Sequence, residues 1–133
     1  MLKLAQYKHI IWDWNGTLLD DVWLFVDIMN SILANHNMDT ITVQKYRKIF
    51  GFPIEGYYEK LGFNLRQESF QETGLKFIRA YEKRCYEAEL HQRVNAILHK
   101  LMSMNIKHYI LSAQHQTLLD DLTNYYNVRK YFT

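Results

Sequence analysis

Cysteine is nearly absent. The 133 residues include one, Cys85, which excludes a disulfide framework and any cysteine-based zinc centre. Proline is as scarce, at one residue, and glycine numbers five, too few for a collagen-like repeat or a flexible linker. Neither sign of charge dominates: the net charge is +2 and the basic residues are scattered, so there is no gathered basic face for nucleic acid. No apolar run approaches the length of a membrane span. The opening Met1-Leu2-Lys3-Leu4-Ala5-Gln6 has no signal-peptide core, and a reduced, cytoplasmic setting is the expectation. Apolar and aromatic residues, by contrast, are plentiful. Hydrophobic residues make up 48% of the chain, with 10 Tyr, 7 Phe and 3 Trp, a composition that excludes intrinsic disorder. The length allows one compact domain, or one small domain carrying an insertion.

The organisation follows from changes in hydrophobic period. His9-Ile10-Ile11-Trp12 is a short β-branched and aromatic run that reads as a buried strand, and the Asn15-Gly16 pair marks the turn after it. A helix is expected from about Leu18 to Asn35, with Val22, Phe25, Val26, Met29, Ile32 and Leu33 on one face. Asp20 and Asp21 would then lie in its first turn, where the helix dipole favours acids. Thr42 can cap a short helix that runs to Phe50. Pro53 suits the first turn of another helix, stopped by Gly62. Asn64 followed by Gln67 resembles a capping box for a long helix, with Phe70, Gly74, Phe77, Tyr81, Cys85 and Ala88 inward. Val94, Ile97, Leu98 and Leu101 mark a further helix, with Asn105 at the left-handed position after it. His108-Tyr109-Ile110-Leu111 is a second strand, closed by Ser112-Ala113. A last helix turns Leu118, Leu119, Leu122 and Tyr125 inward, and Val128 to Thr133 open a third strand.

Strands separated by helices imply a parallel sheet with right-handed crossovers. The helical block is too long for one crossover and reads as an insertion. The expected fold class is therefore α/β: an incomplete Rossmann-like parallel sheet, from residues 1–17 and 91–133, with an inserted all-helical domain over 18–90.

In open α/β sheets ligands sit beyond the carboxyl ends of the strands. Asp13 follows the first strand and Ser112 the second. A carboxylate there can serve as nucleophile or metal ligand. Gly16 lets the chain turn so that backbone amides face inward as a nest for phosphate, with Trp14 contributing its own amide. The Ser112 hydroxyl would add a donor to a phosphoryl oxygen. Carboxylate, nest and hydroxyl together read as a phosphoryl-transfer site that uses Mg²⁺. The six histidines (His9, His36, His91, His99, His108, His115) show no metal-ligand spacing, and Cys85 reads as a core thiol.

Ile11-Trp12-Asp13-Trp14-Asn15-Gly16-Thr17-Leu18-Leu19-Asp20 resembles the first motif of the haloacid dehalogenase-like hydrolases, Asp-x-Asp-Gly-Thr-Leu after a hydrophobic strand. Ile110-Leu111-Ser112 resembles the second motif. The helical block is similar to the family's helical cap, and Phe50-Gly51-Phe52-Pro53 with Leu61-Gly62-Phe63 resembles caps of the phosphoglycolate-phosphatase-like subgroup. The resemblance implies that Asp13 attacks phosphorus to form an aspartyl-phosphate and that water then hydrolyses it. It implies Mg²⁺ held by the Asp13 carboxylate and the Asn15 carbonyl, and phosphate held by Trp14, Asn15, Ser112 and Ala113. The implied substrate is a small phosphorylated metabolite.

The chain departs from the family pattern in two respects. Position 15 is Asn where the family has a catalytic Asp, and an amide cannot shuttle a proton, a loss of roughly 10²–10⁴-fold in rate. Asp20 or Asp21 could stand in as base. The family's third and fourth motifs, a Lys and further Asp residues, have no counterpart here, so the sequence reads as the first part of such an enzyme. The open sheet edges that this implies invite a homodimer or strand exchange. Two alternatives stand beside the enzyme: a non-catalytic remnant that binds phosphate or a partner, and a helical adaptor unrelated to the family.

Overall fold

The computed structural model describes residues 3–133. The chain forms two compact units. One joins the residues up to Asp21 with Ala88–Thr133, and the other is Val22–Glu87.

The first unit is built on a parallel pair. Strand β1 (His9–Trp12) lies beside β4 (Lys107–Ile110), with Ile10 opposite His108 and Trp12 opposite Ile110. Between them in sequence lie β2 (Leu19–Asp20), β3 (Glu89–Leu90) and helix α5 (Val94–Ser103); helix α6 (Gln116–Tyr125) follows β4. Phe132 bridges His108 in parallel, and the Thr133 amide donates to the His108 carbonyl at 2.9 Å. The third strand therefore opens on the free side of β4. Leu98 and Leu101 of α5, Leu119 and Leu122 of α6, Ile106, Val128 and Trp14 are buried. Asn105 adopts φ 58°, the left-handed turn expected after α5. Tyr125 is 61% exposed, contrary to the inward position assigned from periodicity. Its neighbour Tyr126 turns in instead and donates its hydroxyl to the Ala88 carbonyl. Ile97 is likewise exposed.

Trp12 and His108 link the two strands. The indole Nε1–H donates to His108 Nδ1 at 2.9 Å, so the proton of a neutral ring sits on Nε2. His108 is buried, and burial lowers its pKa. The histidine of β4 is thus a neutral core residue. On the other face of the sheet, Ile11 is 66% and Leu111 73% exposed.

The first helix starts four residues later than its period suggests. Leu18 and Leu19 are buried, but in a turn and a short ladder: Leu19 pairs with Leu90 and Asp20 with Glu89, antiparallel. The His91 amide extends the ladder to the Leu18 carbonyl at 3.0 Å. Two buried leucines in sequence fit a helix face or a ladder equally well, and only the distant partner Glu89-Leu90 decides between them.

The second unit is helical: α1 (Val22–Asn35), α2 (Val43–Ile49), α3 (Ile54–Leu61) and α4 (Phe70–Arg84). α1 buries Leu24, Val26, Ile28, Met29, Ile32 and Leu33, while Phe25 meets Phe77 and Tyr81 of α4 edge-on. Thr42 caps α2 through the Lys45 amide, and Gly62 ends α3 at φ 102°. The capping box of the long helix is Ser69 with Glu72, not Asn64 with Gln67. The Asn64 side chain instead accepts the Arg66 amide in a local turn at 3.1 Å.

A charged cluster in this unit is sensitive to pH. His36 Nδ1 faces the Ile32 carbonyl at 2.8 Å, and Nε2 faces Glu68 at 2.5 Å. Both neighbours only accept, so the ring satisfies both by carrying two protons. The bond to Glu68, then that to Ile32, raises the His36 pKa, while burial and Lys76 oppose. A raised folded-state pKa contributes stability that is fully present below the ordinary histidine value and is lost as pH rises through the folded value. Glu68 is lowered, first by Lys76 at 2.5 Å and then by His36, so its contribution is lost as pH falls through its folded value. Thermal unfolding followed from pH 5 to 9 is expected to show the His36 contribution to Tm lost as pH rises from the ordinary histidine value through the raised folded value, and Glu68→Gln is expected to flatten that fall.

Candidate active site

The parallel register brings the two chemistry-bearing ends together. The Leu111 amide donates to the Trp12 carbonyl at 2.9 Å, which carries the ladder one residue past Ile110. Asp13 and Ser112 therefore leave neighbouring parallel strands at the same, carboxyl-terminal end, where ligands bind in sheets of this kind.

Asp13 is exposed, and its Oδ2 accepts the Thr17 hydroxyl at 2.8 Å. Its other oxygen has no protein partner among the described residues. Trp14 is fully buried, its ring 6.3 Å from that of Tyr126, and its indole Nε1 has no protein partner among the described residues. Ser112 Oγ accepts the Gln114 amide at 3.0 Å in a short turn, which leaves its hydroxyl hydrogen to donate elsewhere. Ala113 follows in that turn, exposed. Ser112 does not cap a helix, because α6 begins only at Gln116.

The loop after Asp13 differs from the expected amide nest. Gly16 takes φ 76°, a conformation glycine adopts without steric cost. The amides that follow it, however, are engaged internally. Those of Thr17, Leu18 and Leu19 all donate to the Trp14 carbonyl at 3.0–3.2 Å. That of Gly16 donates to Asp21 Oδ1 at 2.7 Å. Gly16 and its successors therefore do not form the amide nest expected from the sequence.

Asp21, which the sequence offers with Asp20 as a stand-in base, takes a different place and role. It was assigned to the first turn of α1, beside Asp20, as a dipole residue. It is instead fully buried just before that helix. Its carboxylate clamps the loop at two points, the Gly16 amide and the Asn15 carboxamide, whose Nδ2 lies 2.8 Å from Oδ2. The acceptor-only carboxylate requires the NH₂ end of Asn15 there, which fixes the orientation of the amide. Asp20 goes elsewhere, onto β2, with His91 Nδ1 3.9 Å from its carboxylate. Nothing in the Asp-Asp pair distinguishes the two acids; only the turn at Gly16 sends one inward.

Mg²⁺ asks for hard oxygen donors and is often held by one or two carboxylates, with water and substrate phosphate completing its shell. The Asp13 carboxylate and the Asn15 carbonyl are of that kind. No group of three His, Cys, Asp or Glu side chains that could hold a metal occurs among the described residues. No helix among them is long and apolar enough to cross a membrane.

No curated protein matches the sequence. Solved structures do match in fold. A predicted phosphoglycolate phosphatase from Haemophilus somnus superimposes with a TM-score of 0.76 at 17% identity, covering 96% of this chain and 61% of its own. A haloacid dehalogenase-like family protein from Streptococcus pneumoniae gives 0.78 at 18%, covering 96% and 60%. Protein Tyrosine Kinase A of Mycobacterium tuberculosis gives 0.80 at 16%, covering 96% and 58%. The chain thus spans about three fifths of the length of these structures. The profile of the haloacid dehalogenase-like hydrolases matches residues 10–133, from the strand that delivers Asp13 to the segment that pairs with His108, and by that match the chain belongs to the haloacid dehalogenase-like hydrolase family.

Proposed function

We propose that this chain carries the nucleophile-bearing part of a phosphatase that hydrolyses a small phosphate monoester with Mg²⁺, through an aspartyl-phosphate on Asp13. The observation behind this reading is the shared exit of Asp13 and Ser112 from neighbouring parallel strands. Thr17 holds one oxygen of Asp13, which orients the other toward an incoming phosphorus. The Ser112 hydroxyl is left to donate to a phosphoryl oxygen, and the phosphate would lie against the backbone of Trp14 and Asn15 as the family pattern implies. The Asp13 carboxylate and the Asn15 carbonyl would hold the metal, which when bound neutralises phosphoryl charge.

The test compares wild type with Asp13→Asn in p-nitrophenyl phosphate hydrolysis with Mg²⁺. Asp13 is exposed, so its amide variant is expected to fold. Loss of the nucleophile is expected to lower the rate at least ~10²-fold. Equal rates would remove Asp13 from the chemistry. The non-catalytic reading is favoured by one observation, the clamped amide of Asn15; tungstate binding that leaves every phosphate ester intact would support it.

A further inference from the structure

We infer that Asp13 is a phosphoryl acceptor for donors whose leaving group needs no proton, small acyl phosphates above all, and that the phosphorylated form of the chain persists. This rests on Asp13 being the nucleophile and goes on to name the donor class.

Two polar side chains of the loop that follows Asp13 are candidates for acid–base help, one by the family pattern and one as its stand-in. Asn15 is an amide with no accessible protonation change, and its NH₂ group is held on Asp21 at 2.8 Å. Asp21 is a buried carboxylate with each oxygen already accepting an N–H, from Asn15 and from Gly16. Neither can hand a proton to a departing oxygen. Asp21 acts as a positioning residue that holds the loop in shape.

The consequence depends on the leaving group. When Asp13 attacks an acyl phosphate, one Asp13 oxygen–phosphorus bond forms and the phosphorus–oxygen bond to the acyl group breaks. The electron pair departs with a carboxylate, which is stable without a proton, so no proton moves. An alkyl ester would have to expel an alkoxide, which requires an acid that neither Asn15 nor Asp21 supplies. Hydrolysis of the aspartyl-phosphate requires a water that loses a proton as it attacks, and neither residue supplies that base. The first transfer therefore proceeds with activated donors, and the second step lags.

The test incubates the full chain with acetyl phosphate, and separately with glycerol phosphate, in magnesium-containing buffer. Intact mass and released phosphate are read together. Acetyl phosphate is expected to add one phosphoryl group, mapped to Asp13, removed by hydroxylamine and absent from Asp13→Asn. Glycerol phosphate is expected to give no adduct and phosphate release at least ~10²-fold slower. The exchange variant Asn15→Asp/Asp21→Asn is expected to shorten the life of the adduct while keeping most of the thermal stability, a readout that a merely structural clamp would not move. Asp13-dependent turnover of both donors at equal rates, without adduct, would overturn this inference and leave the phosphatase reading standing. Absence of any Asp13-dependent adduct or phosphate release with either donor would overturn both.

Discussion

Replacing Asn15 alone with aspartate is expected to destabilise the protein by about 3 kcal/mol rather than to restore a catalytic acid. The family pattern has an acid at this position, so the substitution looks like a repair. The structure places the carboxamide 2.8 Å from the buried carboxylate of Asp21. Aspartate there removes one N–H donor from Asp21 Oδ2 and sets two carboxylates face to face. Breaking a buried, charge-assisted contact by removing one partner costs a few kcal/mol, and like charges at this range force one group to hold a proton. The Gly16 amide keeps its bond to the other oxygen, so the loop loses one anchor and keeps another. Urea unfolding of Asn15→Asp, Asp21→Asn and the exchange variant measures this directly. The exchange variant, with one acid and one amide again, is expected to recover most of the loss. Additive losses in the double variant would show that residues 15 and 21 are not a matched pair.

Leu98→Ala is expected to cost about 2–5 kcal/mol, while Ile97→Ala beside it stays within about 0.5 kcal/mol. Leu98 is fully buried and Ile97 is 43% exposed, although period alone had both facing inward. Leu98 lies on α5, which packs against β4, so a cavity there loosens the strand that leads to Ser112. The unit is small, and a small core has little surplus to lose. With a urea m value of about 2 kcal/mol/M, the midpoint is expected to fall by about 1–2.5 M. Hydrogen exchange of the β4 amides is expected to accelerate with it. Equal costs at the two positions would contradict the packing of α5.

Several elements were legible in the sequence because their causes are local. β1 is a short apolar run closed by a turn, and His9–Trp12 is where it forms. Thr42, Gly62 and Asn105 end or begin helices by their own side-chain or backbone preferences. The motif at Asp13 was legible for the same reason, since a strand, an acid and a glycine turn are consecutive residues. The parallel pairing of β1 with β4 was reached by counting elements, since strands joined through helices have few other arrangements.

What depended on distant partners was not legible. Leu18 and Leu19 entered a ladder because Glu89-Leu90 arrives from the far side of the helical insertion. Tyr126 rather than Tyr125 turned inward because the Ala88 carbonyl offers an acceptor. Asp21 left the helix surface for the Gly16 turn, where an amide and a carboxamide both needed an acceptor. Residue order by itself determined β1, the caps at Thr42, Gly62 and Asn105, and the acid that ends β1, since each follows from neighbours a few positions away. Tertiary structure alone decided which of two adjacent aspartates is buried and that the amides after Gly16 turn inward on the loop itself, because a buried charge must find its donors in space rather than along the chain.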